Sequence, residues 1–392
     1  MKKYIILLFL FLGCNLYSQN NDIIILVRDS ATDQAIAEVS ILAIEIKKSG
    51  VTNKEGVFKL SIRQQVTLEL DHPEYNSVHL HSSLLTERLN IIYLDKKANL
   101  ETETVVREAN PHGLLVNLIE NSINTLTNPI ALKVYVLEFY KLNNLFTSFN
   151  DGLLKYYIAG KSGQIKADII VEQNRFYSIV PKSYGSNIMG YNLDKLIKSN
   201  YNFTYLNLFF NKKESQKYNY TVTSSLANTS LYKIKAELKN NVHEALPNYE
   251  ITYDPSKMLI IEVKAAISEE NIKYAVIKKF DLDKGKLLSS VFKANYKINE
   301  NLYHLSCSSE DIHIEMFRKS GSTDTLNIKN YFVVNDVNTE SLNYNKKSVF
   351  KQKSLNKIST KYYNNYWDFN SGLTPTTEEA EIIQQLSSET LN

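Results

Sequence analysis

Disulfide bonds cannot hold this chain together, because 392 residues contain only two cysteines, Cys14 and Cys307. Cys14 lies in an apolar leader, so the folded part keeps one thiol and its stability must come from core burial. Long apolar runs are missing too. After the leader, no segment approaches the roughly 18 uninterrupted apolar residues a membrane helix needs. Charge of one sign is equally scarce: Lys and Arg total 45 against 42 Asp and Glu, a formal +3, and removing a leader that carries Lys2 and Lys3 leaves about +1. The charges are interspersed, which reads as a solvated surface and excludes nucleic acid as a partner. Tryptophan occurs once, as Trp367.

What is present begins with an address. Lys2 and Lys3 precede a wholly apolar Tyr4 to Leu12, and polar residues take over from Asn15. This is the pattern of a secretory signal. Leu16-Tyr17-Ser18 places a small residue before Gln19 and favours cleavage there, giving a signal over 1–18. Phe11-Leu12-Gly13-Cys14 is similar to a bacterial lipoprotein box with an imperfect first position, so lipidation of Cys14 is the competing reading. The chain is expected to be exported to the periplasm or the outer membrane.

From Ile23 to Leu94 short apolar runs alternate with turn residues, which predicts an all-β sandwich. Gly50 to Leu60 is its clearest hairpin: Asn53, Lys54, Glu55 and Gly56 supply the turn, and Phe58, Leu60 and Ile62 then point to one face. The stretch from Val27-Arg28-Asp29 through Thr32, Ala35-Ile36, Val39, this hairpin and His72-Pro73-Glu74-Tyr75 resembles the carboxypeptidase-regulatory-like, transthyretin-type sandwich of exported proteins of Gram-negative bacteria. The resemblance covers roughly 22–106, departs from the family where it often opens on glycine, and implies an Ig/transthyretin-like module at 22–97 with Leu100 to Val106 as closing strand and linker. The peptidase activity in the family's name belongs to a separate zinc domain, and nothing in this chain resembles it.

A linker and helix are expected over 98–130. Asn110 reads as the N-cap, Pro111 fits the first turn, and Leu115, Leu118, Ile119, Ser122, Ile123 and Leu126 recur at helical spacing. From 131 to 350 the pattern predicts a larger antiparallel β-meander, with strands over Ile169 to Val180, Tyr218 to Thr223, Leu231 to Leu238, Tyr249 to Tyr253, Met258 to Ile267, Tyr274 to Leu282, Leu287 to Ile298 and Leu302 to Ser306. Turns are expected at Asp254 to Lys257 and Asp283 to Lys286, and a helical interval at Tyr191 to Phe210. Residues 351–392 form an aromatic and helical tail, where Tyr366-Trp367-Asp368-Phe369-Asn370 and Thr374-Pro375-Thr376-Thr377-Glu378-Glu379 resemble the tail of exported proteins that pair such a sandwich with a larger domain. The meander is also similar, by topology alone, to the half-barrel of periplasmic lipoprotein carriers.

Each motif that could carry chemistry is incomplete. Gly160-Lys161-Ser162 ends like a phosphate loop, but Lys155 stands where the first glycine must be, so no nucleotide is expected. His243-Glu244 would need its second zinc ligand at Pro247. Asp281, Asp283 and Gly285 hint at a calcium loop, yet Lys286 occupies the position of the required glycine. His79 and His81 share one strand face with His72 and Glu74 nearby, which makes them the best metal candidate, but two histidines on an exposed sandwich face more often read as a solvated pair. Ser290 with Lys293 and Ser354 with Lys357 match Ser-x-x-Lys without a Lys-Thr-Gly partner, and on a strand the first pair splits to opposite faces. Cys307, in alternation with Tyr303 and Leu305, reads as a buried thiol.

With 26 Tyr and 16 Phe, aromatic contact is the remaining signal, and Tyr366, Trp367 and Phe369 form the candidate binding patch. The sequence thus predicts a mainly β, non-enzymatic envelope protein with no cofactor and no metal, whose partner is an envelope protein, a glycan or a lipid. The first alternative is a lipid or lipoprotein carrier with a half-barrel pocket, and the second is a hydrolase on an unrecognised site. Intact mass of the exported protein is expected to begin at Gln19; a species retaining Cys14 with added acyl mass would refute ordinary cleavage.

Overall fold

The computed structural model describes residues 21–97, 103–180, 190–225, 231–280, 283–299, 301–340, 342–361 and 369–390. The leader with Cys14 and the aromatics Tyr366 and Trp367 lie outside these residues. The fold is mainly β, an N-terminal sandwich followed by a large antiparallel sheet with a few helices.

Seven strands build the sandwich: β1 (Asn21–Asp29), β2 (Ser40–Ala43), β3 (Lys48–Val51), β4 (Val57–Ile62), β5 (Thr67–His72), β6 (Tyr75–His81) and β7 (Leu89–Leu94). One sheet has the order β4-β1-β7, with β1 parallel to β7, and the other β3-β2-β5-β6. The expected alternation appears directly, because Phe58, Leu60 and Ile62 are buried against Ile23, Ile25 and Val27. The hairpin turn is held from within: the Asn53 side chain accepts the amides of Glu55 and Val57, both at 2.9 Å, and Gly56 takes a φ of +74° that a side chain would strain.

The large sheet collects β8 (Glu103–Val105), β9 (Ile130–Leu142), β10 (Leu145–Lys161), β11 (Gln164–Ser178), β12 (Tyr218–Ser225), β13 (Tyr232–Leu238), β14 (Asn248–Asp254), β15 (Leu259–Ala266), β16 (Lys278–Phe280), β17 (Asp283–Asn299), β18 (Leu302–Phe317) and β19 (Thr323–Asn338). Its order is β11-β10-β9-β19-β18-β17-β15-β14-β13-β12-β8, with β16 on β17. Two meanders are therefore joined where β9 meets β19, a pairing distant in sequence. Glu103–Val105 pairs with β12 at the edge of this sheet, rather than closing the sandwich.

Three helices pack against the large sheet: α1 (Pro111–Thr125), α2 (Leu193–Tyr201) and α3 (Thr377–Thr390). Asn110 caps α1 on Gly113, and Ser122, buried on its inner face, accepts the Ile260 amide at 3.0 Å and so pins the helix to β15. α1, α2 and a 3-10 segment over Thr204–Phe210 cover one face of the sheet, burying Ile130, Val134, Tyr156, Ile234, Ile251, Val263, Tyr303 and Phe332. The aromatic run at Tyr201 to Phe210 is thus mostly core: Tyr201, Phe203, Leu206 and Phe209 are all buried.

The other face, built on Tyr135, Leu137, Phe139, Phe149, Leu153, Cys307 and Val333, is covered by Val51 of the sandwich and by Leu373 and Leu386 of the tail. Here the tail is the mortar. The Val51 amide donates to Gly372 at 2.8 Å, the Asn53 side chain to the Pro375 carbonyl at 3.2 Å, and Glu55 accepts both the amide and the hydroxyl of Thr377. Gly50 is glycine because a Cβ there would stand 2.3 Å from the Gly372 oxygen.

Several expectations are corrected. Over Tyr274 to Leu282 only Lys278–Phe280 is a described strand, and a helical turn over Glu269–Ile272 precedes it. Asp283 to Lys286 is not a turn but the start of β17, where Gly285 pairs with Lys278 and with Met316. Tyr303 and Leu305 face the helices while Cys307 faces the seam, because one extra residue, Ser306, bulges β18 between them. Strand β18 also runs well past Ser306. Replacing Phe58 by Ala is expected to destabilise the protein by about 3–5 kcal/mol in denaturant unfolding, with a loss under about 1 kcal/mol counting against its place in the core.

Candidate functional site

Of the predicted binding residues only Phe369 lies among the described residues. It is half-buried at the seam, lining a small crevice with Lys48, Phe58, Lys59, Lys133 and Asn335, and the Lys59 ammonium stands 5.8 Å over its ring. The other motifs resolve simply. His79 and His81 are exposed on β6, and no group of three metal-ligating side chains occurs among the described residues. Glu244 pairs with Lys217 at 2.8 Å. Ser290 and Lys293 do split, the serine into a cavity beneath α2 and the lysine into the seam. Cys307 is buried, and burial pushes its thiol up to about 12, so it is inert as a nucleophile.

The cavity beneath α2 is the site that spacing alone did not reveal. Register explains it. Facing pairs run Asn150, Glu138, Asn330, Glu310, Phe292, Ala265, Tyr249, Ala236 and Tyr220 across nine strands from β10 to β12, all on the helix-covered face. The row is polar at one end and aromatic at the other. Over its middle the sheet and α2 leave a cavity of about 450 Å³, walled by Leu196, Tyr205, Tyr249, Ala265, Ile267 and Phe292, with Ser290, Ser308, Ser309, Glu310, Asn330 and Asn200 as its polar lining.

α2 can roof this space because it is amphipathic. Asn192 caps it on Lys195 at 3.0 Å, Leu193, Ile197 and Tyr201 pack inward, and Leu196, Ser199 and Asn200 meet the cavity. Tyr191, just before the helix, connects the two carboxyls of the row: its amide donates to Glu138 at 3.1 Å and its hydroxyl donates to Glu310. Glu138, 1 % exposed, also accepts the Tyr140 hydroxyl at 2.9 Å and the Asn150 amide at 3.1 Å.

Burial dominates the electrostatics. It raises the Glu138 carboxyl above its ordinary range despite those three donors, and it raises Glu310 despite the Tyr191 hydroxyl. Neither carboxyl has an ion-pair partner among the described residues. The amide nitrogen of Asn330 and the amide oxygen of Asn200, each on a residue 2 % exposed, have no hydrogen-bond partner either. The wall is thus apolar over most of its area, with unpartnered amide atoms at Asn330 and Asn200. The Glu138 signal was present in the sequence: Leu132, Val134, Val136 and Tyr140 hold the apolar face of β9, and an acid interrupts them.

The chain matches no protein-family model and no curated protein. Solved structures that overlap it include lipovitellin, at 10 % identity over 59 % of this chain with a TM-score of 0.25. The chain spans 27 % of that lipovitellin chain. A LolA superfamily protein of Nitrosomonas europaea overlaps at 10 % identity, covering 60 % of this chain and 97 % of the other, with a TM-score of 0.21. A DUF1329 family protein of Desulfovibrio piger does so at 9 % identity, covering 57 % and 91 %, with a TM-score of 0.24. At these scores the likenesses carry no argument, and the cavity is read from its own walls.

The raised carboxyls give a pH dependence of known sign. A carboxyl whose folded value lies above its unfolded one contributes stability that is complete below the ordinary carboxyl range and lost as pH rises through the folded value. Glu310→Gln should therefore gain thermal stability relative to the unsubstituted protein as pH is raised from about 4 to about 8. A difference in melting temperature that stays constant across that range would show that Glu310 ionises freely.

Proposed function

We propose that this chain is a non-enzymatic binding protein of the cell envelope that holds an apolar or amphipathic small molecule, lipid-like in its body, beneath α2. The cavity carries this reading. Its volume falls within the roughly 300–1,000 Å³ of sites that enclose small molecules. Its lining mixes the rings of Tyr205, Tyr249 and Phe292 with the aliphatic side chains of Leu196 and Ile267, a wall that favours apolar surface leaving water. The sheet beneath the cavity presents no free backbone edge, because β14, β15, β17 and β18 are each paired on both sides, so a guest there meets side chains.

The envelope address rests on the leader. No helix among the described residues is long and apolar enough to cross a membrane. Of the sequence readings, the carrier with a pocket is the one the cavity supports, and the sandwich is then the part that docks and braces the binding sheet. Chemistry is not part of this proposal. Ser290, Ser308 and Ser309 line the cavity, and no histidine among the described residues lines it beside them.

The test is binding of a neutral naphthylamine probe whose fluorescence rises in apolar surroundings. Saturable binding at about one site per chain is expected, and Ala265→Trp, which puts an indole where a methyl faces the cavity, should weaken it at least about tenfold with circular dichroism unchanged. Ser290→Phe is a second plug from another strand. Probe binding indifferent to both substitutions would overturn the reading.

A further inference from the structure

Resting on that cavity reading, we propose that the ligand carries an ammonium group at its polar end and that Glu310 is its counter-charge. Glu310 is the only carboxyl among the described residues that line the cavity. The described residues give it one hydrogen bond, from the Tyr191 hydroxyl, and no cation. The titratable neighbours among the described residues can be named. β9 contributes Glu138 and Tyr140, the approach to α2 contributes Tyr191, and Tyr205 and Tyr249 stand in the wall; Ser290, Phe292 and Asn330 flank Glu310 from β17 and β19 and do not titrate. Lys195 of α2 lines the mouth, but it is exposed and forms no ion pair with Glu310. The polar end of the cavity is therefore acidic and unopposed.

A second feature points to the same group. The Asn200 amide oxygen is buried in the lining without a donor, while its nitrogen is already committed to the Leu196 carbonyl at 3.0 Å, so the oxygen can only accept. Ammonium has three donors and no acceptor, so it suits a lining that offers a carboxylate and unfilled amide oxygens and no free donor in their place. The Asn330 amide, unpartnered at its nitrogen, offers its oxygen to the same guest by a half-turn of its last bond. An anionic head would face Glu310 with only the exposed Lys195 at the mouth to offset it among the described residues, and an alcohol would bring no charge to meet the carboxyl. Burial raises the Glu310 carboxyl, and a bound cation acts in the opposite direction, so ligand binding shifts the group toward the carboxylate and favours proton release.

The experiment uses the full chain and displaces the naphthylamine probe with dodecylamine, dodecanol or laurate, three tails of equal length. Dodecylamine should displace at concentrations at least about tenfold below dodecanol, with laurate weakest, as a desolvated charge-assisted hydrogen bond predicts. Calorimetry in buffers of different ionisation enthalpy should show net proton release as the amine binds. Glu310→Gln should erase both the amine-to-alcohol ratio and the proton release. Equal potency of amine and alcohol, a preference for laurate, or an amine advantage that survives Glu310→Gln would overturn the proposal and leave the cavity reading standing. A probe that never binds, or that ignores Ala265→Trp, would sink the cavity reading and the proposal with it.

Discussion

A sheet eleven strands long on its hydrogen-bonded path, apolar along its helix-covered face and apolar on the other over β9, β10, β18 and β19, cannot leave those surfaces to water. That constraint sets the rest of the molecule. One face is closed by α1, α2 and the aromatic segment after α2, all inserted between strands of the same sheet. The other is closed from outside, by the sandwich and by the returning C-terminal tail. The two outer covers also hold each other, because the hairpin that begins at Gly50 bonds Gly372 of the tail and Glu55 bonds Thr377 at the start of α3, while Val51 and Leu386 each pack on the sheet. Thr376 and Glu379 cap one another, amide to side chain in each direction, while Glu55 supplies a carboxylate to the Thr377 amide at the same helix start.

Charge reinforces this seam where apolar contact thins. Lys293 of β17 bonds Glu262 of β15 at 3.0 Å and also reaches Glu38 of the sandwich. Burial alone would raise Glu262, but Lys293 and Lys264 outweigh it and hold the carboxyl below its usual range; burial alone would lower Lys293, and the two acids hold it up. A buried pair of this kind is weak evidence for net stability, since desolvating both ions offsets much of their attraction. Its value is registration: Glu38 fits one position on the sheet, so the sandwich cannot slide along it.

The strands were legible wherever one face is apolar and the other polar. Phe58, Leu60 and Ile62 alternate and are core; so do Tyr135, Leu137 and Phe139, although both faces of β9 are buried. The far half of β18 was hidden because Ser308, Glu310 and Asp311 read as loop, and only the cavity beneath α2 explains polar residues on an inner face. The row of Asn150, Glu138, Asn330 and Glu310 could not be read at all from spacing. Its members meet through the pairing of β9 with β19, some 190 residues apart, and single-sequence periodicity carries no information about which strand lies beside which. Helix signals fared better, since caps are local: Asn110 and Asn192 each bond the backbone three residues on.

The two covers are mechanically coupled through the strands they share. On β17 Ser290 and Phe292 face the cavity while Lys293 faces the sandwich, and on β18 Glu310 faces the cavity while Cys307 lies in the seam. Two adjacent side chains of one extended backbone cannot shift independently, so the packing of the sandwich limits how far the cavity floor can move. Unpaired polar atoms such as those of Asn200 and Asn330 are costly in a floor that could relax around them. They persist where the surroundings hold them in place, and a rigid floor loses little further freedom when a guest arrives, which raises affinity without adding a contact. The sandwich thereby acts on binding from the face opposite the ligand, by stiffening strands it shares with the site.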